Sequence, residues 1–416
     1  MIVIVIIGAG AAGLLAGISA TKKNKEVVIL ERMAKAGRKM LITGKGRCNL
    51  TNAAEIPELI ENIPGNGVFL NSALRVFSNK DICNLLENNG CPTKVERGKR
   101  IFPESDKSHD VVDTLVKIFH HQGGKIYYDT KVIKLVVEDG QIKGVSTNNG
   151  QTFLANAVIL CAGGATYPTT GSDGNGAKLA ENAGHTIIPL KPSLVPLESD
   201  WQYSKELQGL SLKNVKAYLL ANDEKIAEDF GELLFTHFGV SGPIVLSMSN
   251  VAQQALALGK QVDLIIDLKP ALDFEKLDSR IQRDFIEFSR KQIANGLVSL
   301  LPHSMIPVVL DMAYLDENKF INQITKEERF RLLKVLKHFV VPIVGTRPIA
   351  EAIVTSGGVS VKEINPKTME SKLIKGLYFA GEVMDVDGYT GGYNLQAAFS
   401  SGYVAGKSAA ESIINM

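Results

Sequence analysis

Residues 1–13 read Met1-Ile2-Val3-Ile4-Val5-Ile6-Ile7-Gly8-Ala9-Gly10-Ala11-Ala12-Gly13, and a helix-like stretch, LLAGISATKK, follows. A continuous β-branched run is a buried strand, and a glycine turn leading from it into a helix is the dinucleotide-binding fingerprint. Gly8 permits the sharp turn off the strand. Gly10 has no Cβ, so a pyrophosphate can approach the backbone. Gly13 lets the helix lie close to the sheet. Backbone N–H groups of the helix start, from Ala9 through Ala12, then face the phosphates with the positive end of the helix dipole behind them.

Working outward, Glu26 to Leu30 (EVVIL) is a second strand that ends on Glu31. An acid about 20 positions past the glycines can accept hydrogen bonds from ribose hydroxyls; the alternative is a solvated strand end. The stretch from Arg32 to Asn52, RMAKAGRKMLITGKGRCNLTN, lacks strand or helix periodicity and reads as a loop. Arg38, Lys39 and Arg47 supply positive donors, and Gly37, Gly44 and Gly46 allow close backbone approach. Thr43, Asn49 and Thr51 add small polar groups. Cys48 lies within this loop and reads as a packing residue, with contact to a flavin ring as the alternative. A nicotinamide-only enzyme normally continues into another βα unit at this point. A glycine- and arginine-rich loop instead favours FAD.

Further along, helical pattern covers Ser78 to Asn88. In KRIFPESDKSHDVVDTLVKIF, Pro103 ends a strand-like RIF, and Ser105 or Ser108 is the expected helix cap. Arg100 is a candidate anion or substrate contact, or one half of a surface ion pair. From Lys125 a three-stranded meander turns at Asp139-Gly140 and Asn149-Gly150. Backbone at Val132 is a candidate adenine contact. The returning apolar strand Ala157 to Leu160 ends in Ala162-Gly163-Gly164, which permits close approach to a cofactor. Residues 187–267 are β-rich and punctuated by proline. Within them FGELLFTHFGVSGP presents His237 in a glycine-rich, aromatic setting, either as a proton donor or acceptor at a flavin or as a structural histidine bonded to backbone. Residues 270–338 turn helical, with a capping box at Thr325 to Glu328. Near the end, LYF runs into Gly381-Glu382, an acid suited to ribitol hydroxyls. Gly391-Gly392 then precede a helix beginning near Asn394. Its start would aim N–H groups at the pyrimidine end of an isoalloxazine and raise the reduction potential.

The chain of 416 residues is long enough for two or three domains, and its net charge of +2 gives no electrostatic case for nucleic acid or an anionic membrane. No stretch approaches the ~18 uncharged apolar residues of a membrane span. Four cysteines without a CxxC pair or zinc spacing fit a reducing, cytoplasmic compartment with no metal site. The opening run lacks a basic n-region and reads as a strand, not a signal peptide.

Several segments together resemble the aminoacetone-oxidase-like or BaiN-like family of FAD-dependent oxidoreductases. They are GAGAAG at 8–13, TGKGRCNLTN at 43–52, RIFPESDKSHDVV at 100–112, AGGATYPTTGSDGNG at 162–176, GELLFTHFGVSGP at 231–243, VTSGGV at 354–359 and GLYFAGEVMDVDGYTGGYNLQAAFSSG at 376–402. The segment GSDGNGAKLAENAGH is also similar to part of the fumarate-reductase group of flavoproteins. The resemblance implies an α/β fold with a Rossmann-like FAD-binding domain formed by both chain ends. It implies an inserted β-rich substrate domain and a small helical domain within that insertion. The expected bounds are 1–190 and 366–416, 191–269 and 339–365, and 270–338. Carried over by motif, FAD contacts fall on Gly8 to Gly13, Glu31, Arg38, Lys39, Thr43, Gly44, Arg47, Asn49, Ala162, Gly163, Gly381, Glu382 and the Gly392-Tyr393-Asn394-Leu395-Gln396 segment. The expected reaction passes a hydride between flavin N5 and a small organic substrate. Two versions stand: amine oxidation with O2, and reduction of an unsaturated carbonyl acceptor by NAD(P)H. No second glycine fingerprint marks a separate nicotinamide domain, so NAD(P)H would bind transiently. A non-redox or RNA-modifying flavoprotein is the alternative, and the neutral charge argues against RNA. His237, Tyr393 and Arg100 are the candidate proton-transfer residues.

Overall fold

The computed structural model describes residues 3–21 and 26–412. The first two residues of the opening run, and Lys22 and Lys23 at the end of the helix stretch, lie outside the described residues. The chain divides into two compact units: residues 1–193 with 349–416, and residues 194–348.

Unit 1 is built on five parallel strands. β1 (Val3–Ile7) runs through the Gly8 turn into α1 (Ala11–Ala20), and β2 (Glu26–Leu30), β3 (Lys125–Tyr127) and β4 (Ala157–Leu160) follow. The return strand Leu377–Phe379 lies on the far side of β4, giving the order return strand, β4, β1, β2, β3. β1 and β4 are central and almost wholly buried, which is why both read as unbroken apolar runs. α1 is buried on every side, so its sequence is small and apolar throughout. The closing helix Tyr393–Ser412 lies against it. Both hairpin turns fall where expected, but the last strand of the meander, Thr152–Leu154, stops short of β4, which joins the parallel sheet. The helix Ser108–His121 is capped by neither expected serine. Lys107 takes the cap position, Ser105 Oγ accepts from the Lys107 N–H, and Ser108 Oγ donates to the Leu41 carbonyl.

Unit 2 holds seven antiparallel strands: β5 (Leu197–Glu198), β6 (Ser211–Ala221), β7 (Glu224–Thr236), β8 (Gly239–Ser241), β9 (Val262–Asp267), β10 (Phe339–Ile343) and β11 (Gly345–Thr346). Their order is β10-β9-β6-β7-β8-β5-β11. The helical stretch 270–338 does not stand apart as its own domain. Its buried Leu277, Ile281, Val309 and Leu332 share one core with the sheet residues Leu219, Leu264 and Phe339. Nor does residue 365 end the insertion: Val354–Val359 pairs antiparallel with Ile187–Ser193, so the departing and returning chain lie side by side in unit 1.

One polar triplet in unit 1, with its histidine and serine buried, imitates a catalytic arrangement. His185 Nδ1 meets Glu363 Oε2 at 3.1 Å, and its Nε2 meets Ser371 Oγ at 3.0 Å. Ser371 Oγ also accepts the N–H groups of Leu373 and Ile374 at 3.0 and 2.9 Å. Its lone pairs are therefore spent, its proton goes to His185, and the triplet is structural. Burial holds the His185 imidazolium form down, so its folded pKa lies below the ordinary histidine value. The unfolded chain then binds the extra proton first. Stability is expected to be complete above about pH 6.5 and to fall as the pH drops through the folded pKa. Urea midpoints across pH 5–8 should show that slope. His185→Gln should flatten it and lower Tm at pH 7.5 by about 2–4 °C.

Candidate functional site

The glycine turn and the acid at the end of β2 meet directly. The Ala9 N–H donates to Glu31 Oε2 and the Met33 N–H to Glu31 Oε1, both at 2.8 Å. Burial pushes the Glu31 carboxyl up, and the two N–H donors oppose that shift. The Gly37 N–H donates to the Ala9 carbonyl at 2.9 Å, bringing the start of the basic loop to the same turn. Gly13 and Gly10 have opposite surroundings. A Cβ on Gly13 would stand 1.8 Å from the Gly8 carbonyl oxygen, whereas one on Gly10 meets nothing within 4 Å. Gly10 is also the cap residue of α1, and no side chain caps it. Nearby, Ser172 Oγ is buried without a hydrogen-bond partner among the described residues and would lie 2.9 Å from a Cβ on Gly163. Arg32 pairs with Asp173 at 2.5 Å. An open backbone cradle at an uncapped helix start, a buried acid and an orphaned hydroxyl fit the pyrophosphate and ribose end of a dinucleotide such as FAD.

A second group joins distant segments. Lys39 Nζ donates to Glu382 Oε2 and to Thr166 Oγ1, both at 2.6 Å. Glu382 Oε1 accepts the Thr355 N–H at 2.8 Å, and Thr355 Oγ1 accepts the Ala165 N–H at 2.7 Å. Gly164 leaves no room here, since a Cβ would meet Thr355 Oγ1 at 2.2 Å. Lys39 and Glu382, expected to reach a cofactor separately, are thus paired with each other. Thr166 and Thr355 were not singled out from the sequence, although both lie in the family-like segments.

The third group supports the start of the closing helix. The stretch 38–46 is less loop-like than expected, with a short helix Arg38–Ile42 followed by a 3-10 turn, Thr43–Gly46. Thr43 Oγ1 donates to the Met40 carbonyl. With its amide nitrogen toward the carbonyls, Asn49 donates to Thr51 O and Ile101 O and accepts the Gly392 N–H at 3.1 Å. Thr51 Oγ1 donates to Gln396 Oε1 at 2.6 Å, and Gln396 Nε2 donates to Ser400 Oγ at 2.9 Å. Thr51 and Gln396 are fully buried, so their side chains brace the helix start from inside. Asn394 clamps the preceding loop, accepting the Gly388 N–H and donating to the Gly388 carbonyl. Tyr393 is buried, and Leu395 packs against the core. The Cys48 thiol is wholly buried, and burial pushes its pKa up to about 12, so it is no thiolate at neutral pH.

Other expected residues stand elsewhere. Arg47 is held by Glu96 and by Asp106 Oδ1 at 2.8 Å, and lies over the Phe102 ring. Arg100 is exposed, with Nε donating to the Arg97 carbonyl. Val132 pairs with Thr147, and its carbonyl accepts from Asn175. Gly381 packs onto Ala12, and its N–H donates to Ser401 Oγ. In unit 2, His237 and Phe238 form the two-residue tip between β7 and β8, where Thr236 pairs with Gly239. The His237 ring is exposed and takes part in no hydrogen bond among the described residues, which removes the structural reading of it. Among the described residues no His, Cys, Asp or Glu cluster could hold a metal, and no helix is long and apolar enough to cross a membrane.

The chain belongs to the family described as HI0933-like protein Rossmann domain, which matches residues 2–408. It is an FAD-dependent oxidoreductase. It is similar to the 3-dehydro-bile acid delta(4,6)-reductase of Clostridium scindens, with 33% identity over 98% of both chains. It is similar also to the ribosomal RNA dihydrouridine synthases of Haemophilus influenzae and Escherichia coli, at 32% and 31% identity, each over 96% of both chains. A flavocytochrome c3 fumarate reductase shares the fold at 18% identity and TM-score 0.53, covering 99% of this chain and 78% of that one. So does a Rhodococcus jostii 3-ketosteroid-delta4-(5alpha)-dehydrogenase, at 16% identity and TM-score 0.53, covering 98% and 96%.

The contrast between the two glycines is testable. Gly10→Ala should leave the melting temperature of the cofactor-free protein within about 1–2 °C and cut bound FAD per chain at least tenfold. Gly13→Ala should cost about 1–3 kcal/mol or more through overpacking, lowering both the melting temperature and the flavin content. Visible absorbance per chain and thermal melts read both effects.

Proposed function

We propose that this protein is a reductase that saturates a carbon–carbon double bond conjugated to a carbonyl, with NAD(P)H as reductant. One observation carries the reading. Relatives matching nearly the whole chain have names for two reactions, a bile-acid delta(4,6) reduction and dihydrouridine synthesis, that share this bond change. A double bond beside a 3-oxo group and the C5=C6 bond of uracil are both polarised by a carbonyl. The net change adds a hydride to the β-carbon and a proton to the α-carbon, and the two electrons come from NAD(P)H. FAD, when bound, supplies the hydride relay between donor and acceptor.

The chain's own residues supply binding and orientation. Gly10 and the start of α1 would hold the pyrophosphate, and Glu31 the ribose. The Lys39–Glu382 pair and the first turn of the closing helix would hold the remainder of the cofactor. Of the three candidate proton donors, His237 is preferred. Its exposed ring packs edge-on against Phe238 and makes no hydrogen bond among the described residues, while Tyr393 is buried and burial raises its phenol pKa. The four free cysteines support a reducing, cytoplasmic setting. RNA as the substrate is favoured by two of the relatives' names and opposed by the near-neutral charge. Amine oxidation with O2 has no comparable support.

The purified yellow protein, mixed without oxygen with NADH or NADPH, should bleach. It should then recolour on adding either a 3-oxo-Δ4,6 steroid or an unmodified ribosomal RNA transcript, with a product two mass units heavier. Bleaching by aminoacetone alone, with peroxide formed on readmitting air, would overturn the proposal. His237→Asn should slow recolouring at least tenfold and leave bleaching unchanged.

A further inference from the structure

Arg97 and Arg100 flank a tight turn in unit 1, and neither pairs with an acid among the described residues. The turn joins the strands Thr93–Glu96 and Arg100–Pro103, and Thr51–Asn52 pairs on the other side of the second strand. One buried side chain fixes its place. Asn52 lies opposite Arg100, and its Nδ2 donates to the Gly98 carbonyl at 3.1 Å and to the Gly391 carbonyl at 3.0 Å. The turn therefore stands beside Gly391-Gly392 and the start of the closing helix. The Ala53 N–H adds a bond to the Lys99 carbonyl at 2.7 Å. The other charges here are spent on one another. Arg47 holds Glu96 and Asp106, Lys94 holds Asp106 at 2.8 Å, and Lys99 holds Glu58 at 2.6 Å. Glu96 lies opposite Arg100 in register, yet its carboxylate takes its bonds from Arg47. Arg100 spends only its Nε, on the Arg97 carbonyl at 3.0 Å. Both of its Nη groups are left over among the described residues. Its guanidinium carbon lies 5.8 Å from the centre of the buried Phe102 ring.

Stability does not explain this arrangement, because charges so exposed contribute little to it and two neighbouring cations oppose each other. A guanidinium tied down at Nε, with both Nη groups free, is shaped for a phosphate, which takes two parallel N–H bonds. Two cations match the double charge of a phosphate monoester. The reductant of the proposed reaction comes in two forms, and NADPH differs from NADH by one such monoester, on the 2′ oxygen of its adenosine ribose. Resting on the reductase reading, we propose that Arg100 and Arg97 bind this 2′-phosphate and make NADPH the preferred donor. Arginine is the side chain that accommodates a 2′-phosphate in dinucleotide sites, and its flat face can also carry the adenine beside that phosphate. The nicotinamide and the 2′-phosphate are at opposite ends of the donor. A hold beside the closing-helix start therefore leaves the nicotinamide free to meet the flavin. A donor that binds transiently gains its selectivity from such a hold.

The test uses the flavin-loaded protein with adenosine 2′,5′-bisphosphate and adenosine 5′-monophosphate as probes, followed by calorimetry. The two differ only in the 2′-phosphate. Wild type should bind the bisphosphate at least about tenfold more tightly, the range of one hydrogen bond to a charged group. At limiting concentration, NADPH should bleach the flavin at least about tenfold faster than NADH. Arg100→Gln should bring both ratios within about twofold, Arg97→Gln should shrink them, and Arg100→Lys should retain part of each. Lys117→Gln removes one charge from the helix Ser108–His121 and should leave both ratios as in wild type. Equal binding of the two probes by wild type, or a preference that survives Arg100→Gln, would overturn the inference. A preference lost as fully in Lys117→Gln would overturn it too, since the attraction would then be a general field and not a site. If NADH and NADPH bleach the protein equally and an acceptor still recolours it, the reductase reading survives alone. A preference for NADPH without recolouring by any acceptor would leave the phosphate site standing and remove the reductase reading.

Discussion

The first and last helices of unit 1 touch backbone to backbone, and the cofactor-binding half of the molecule depends on that contact. A Cβ on Gly402 would stand 2.2 Å from the Ala12 carbonyl oxygen, and one on Gly406 would stand 2.0 Å from that of Ala16. Any side chain at either position would push the closing helix off α1. Its start would then leave the segment 49–51, breaking the bonds from Thr51 to Gln396 and from Gly392 to Asn49. The Gly381 N–H would lose Ser401 in the same movement. The small residues of α1 answer the same demand from the other side, since every residue of that helix is buried. A contact between residues nearly four hundred positions apart thus fixes where the closing helix lies against α1.

Features set by local geometry were legible in the sequence. A strand, a glycine turn and a helix in fixed order gave the nucleotide end. Asp139-Gly140 and Asn149-Gly150 gave both hairpins, and Thr325 with Glu328 gave a capping box that the structure contains. Features that join remote segments were not legible. Lys39 and Glu382 are separated by 343 positions, and Glu198 and Arg347 by 149. Each residue alone looks like any charged group at the end of an element. The helices of 270–338 misled for a related reason. Their periodicity shows that they bury an apolar face, but not that the face lies on the sheet of unit 2. The expected serine cap of Ser108–His121 is absent because Ser108 Oγ donates to the Leu41 carbonyl and Ser105 Oγ accepts from the Lys107 N–H.

The basic loop changes meaning once its partners are known. Composition made Arg38, Lys39 and Arg47 the natural anion donors. Lys39 instead spends its charge on Glu382, and Arg47 on Glu96 and Asp106. Such pairs neutralise one another before any ligand arrives. The start of α1, by contrast, carries no side-chain cap on its backbone N–H groups. That accounts for the division of labour among the glycines: Gly13 and Gly8 pack protein against protein, and Gly10 keeps a surface clear.

The same distinction between total charge and local geometry bears on the substrate. A net charge of +2 speaks against a surface that grips nucleic-acid phosphates, because that grip grows with the number of phosphates neutralised. It says nothing about reading a base, which rests on short-range hydrogen bonds to an edge. Near-neutral composition and recognition of a uracil edge are therefore compatible, and the charge argument excludes a mode of binding without excluding the substrate.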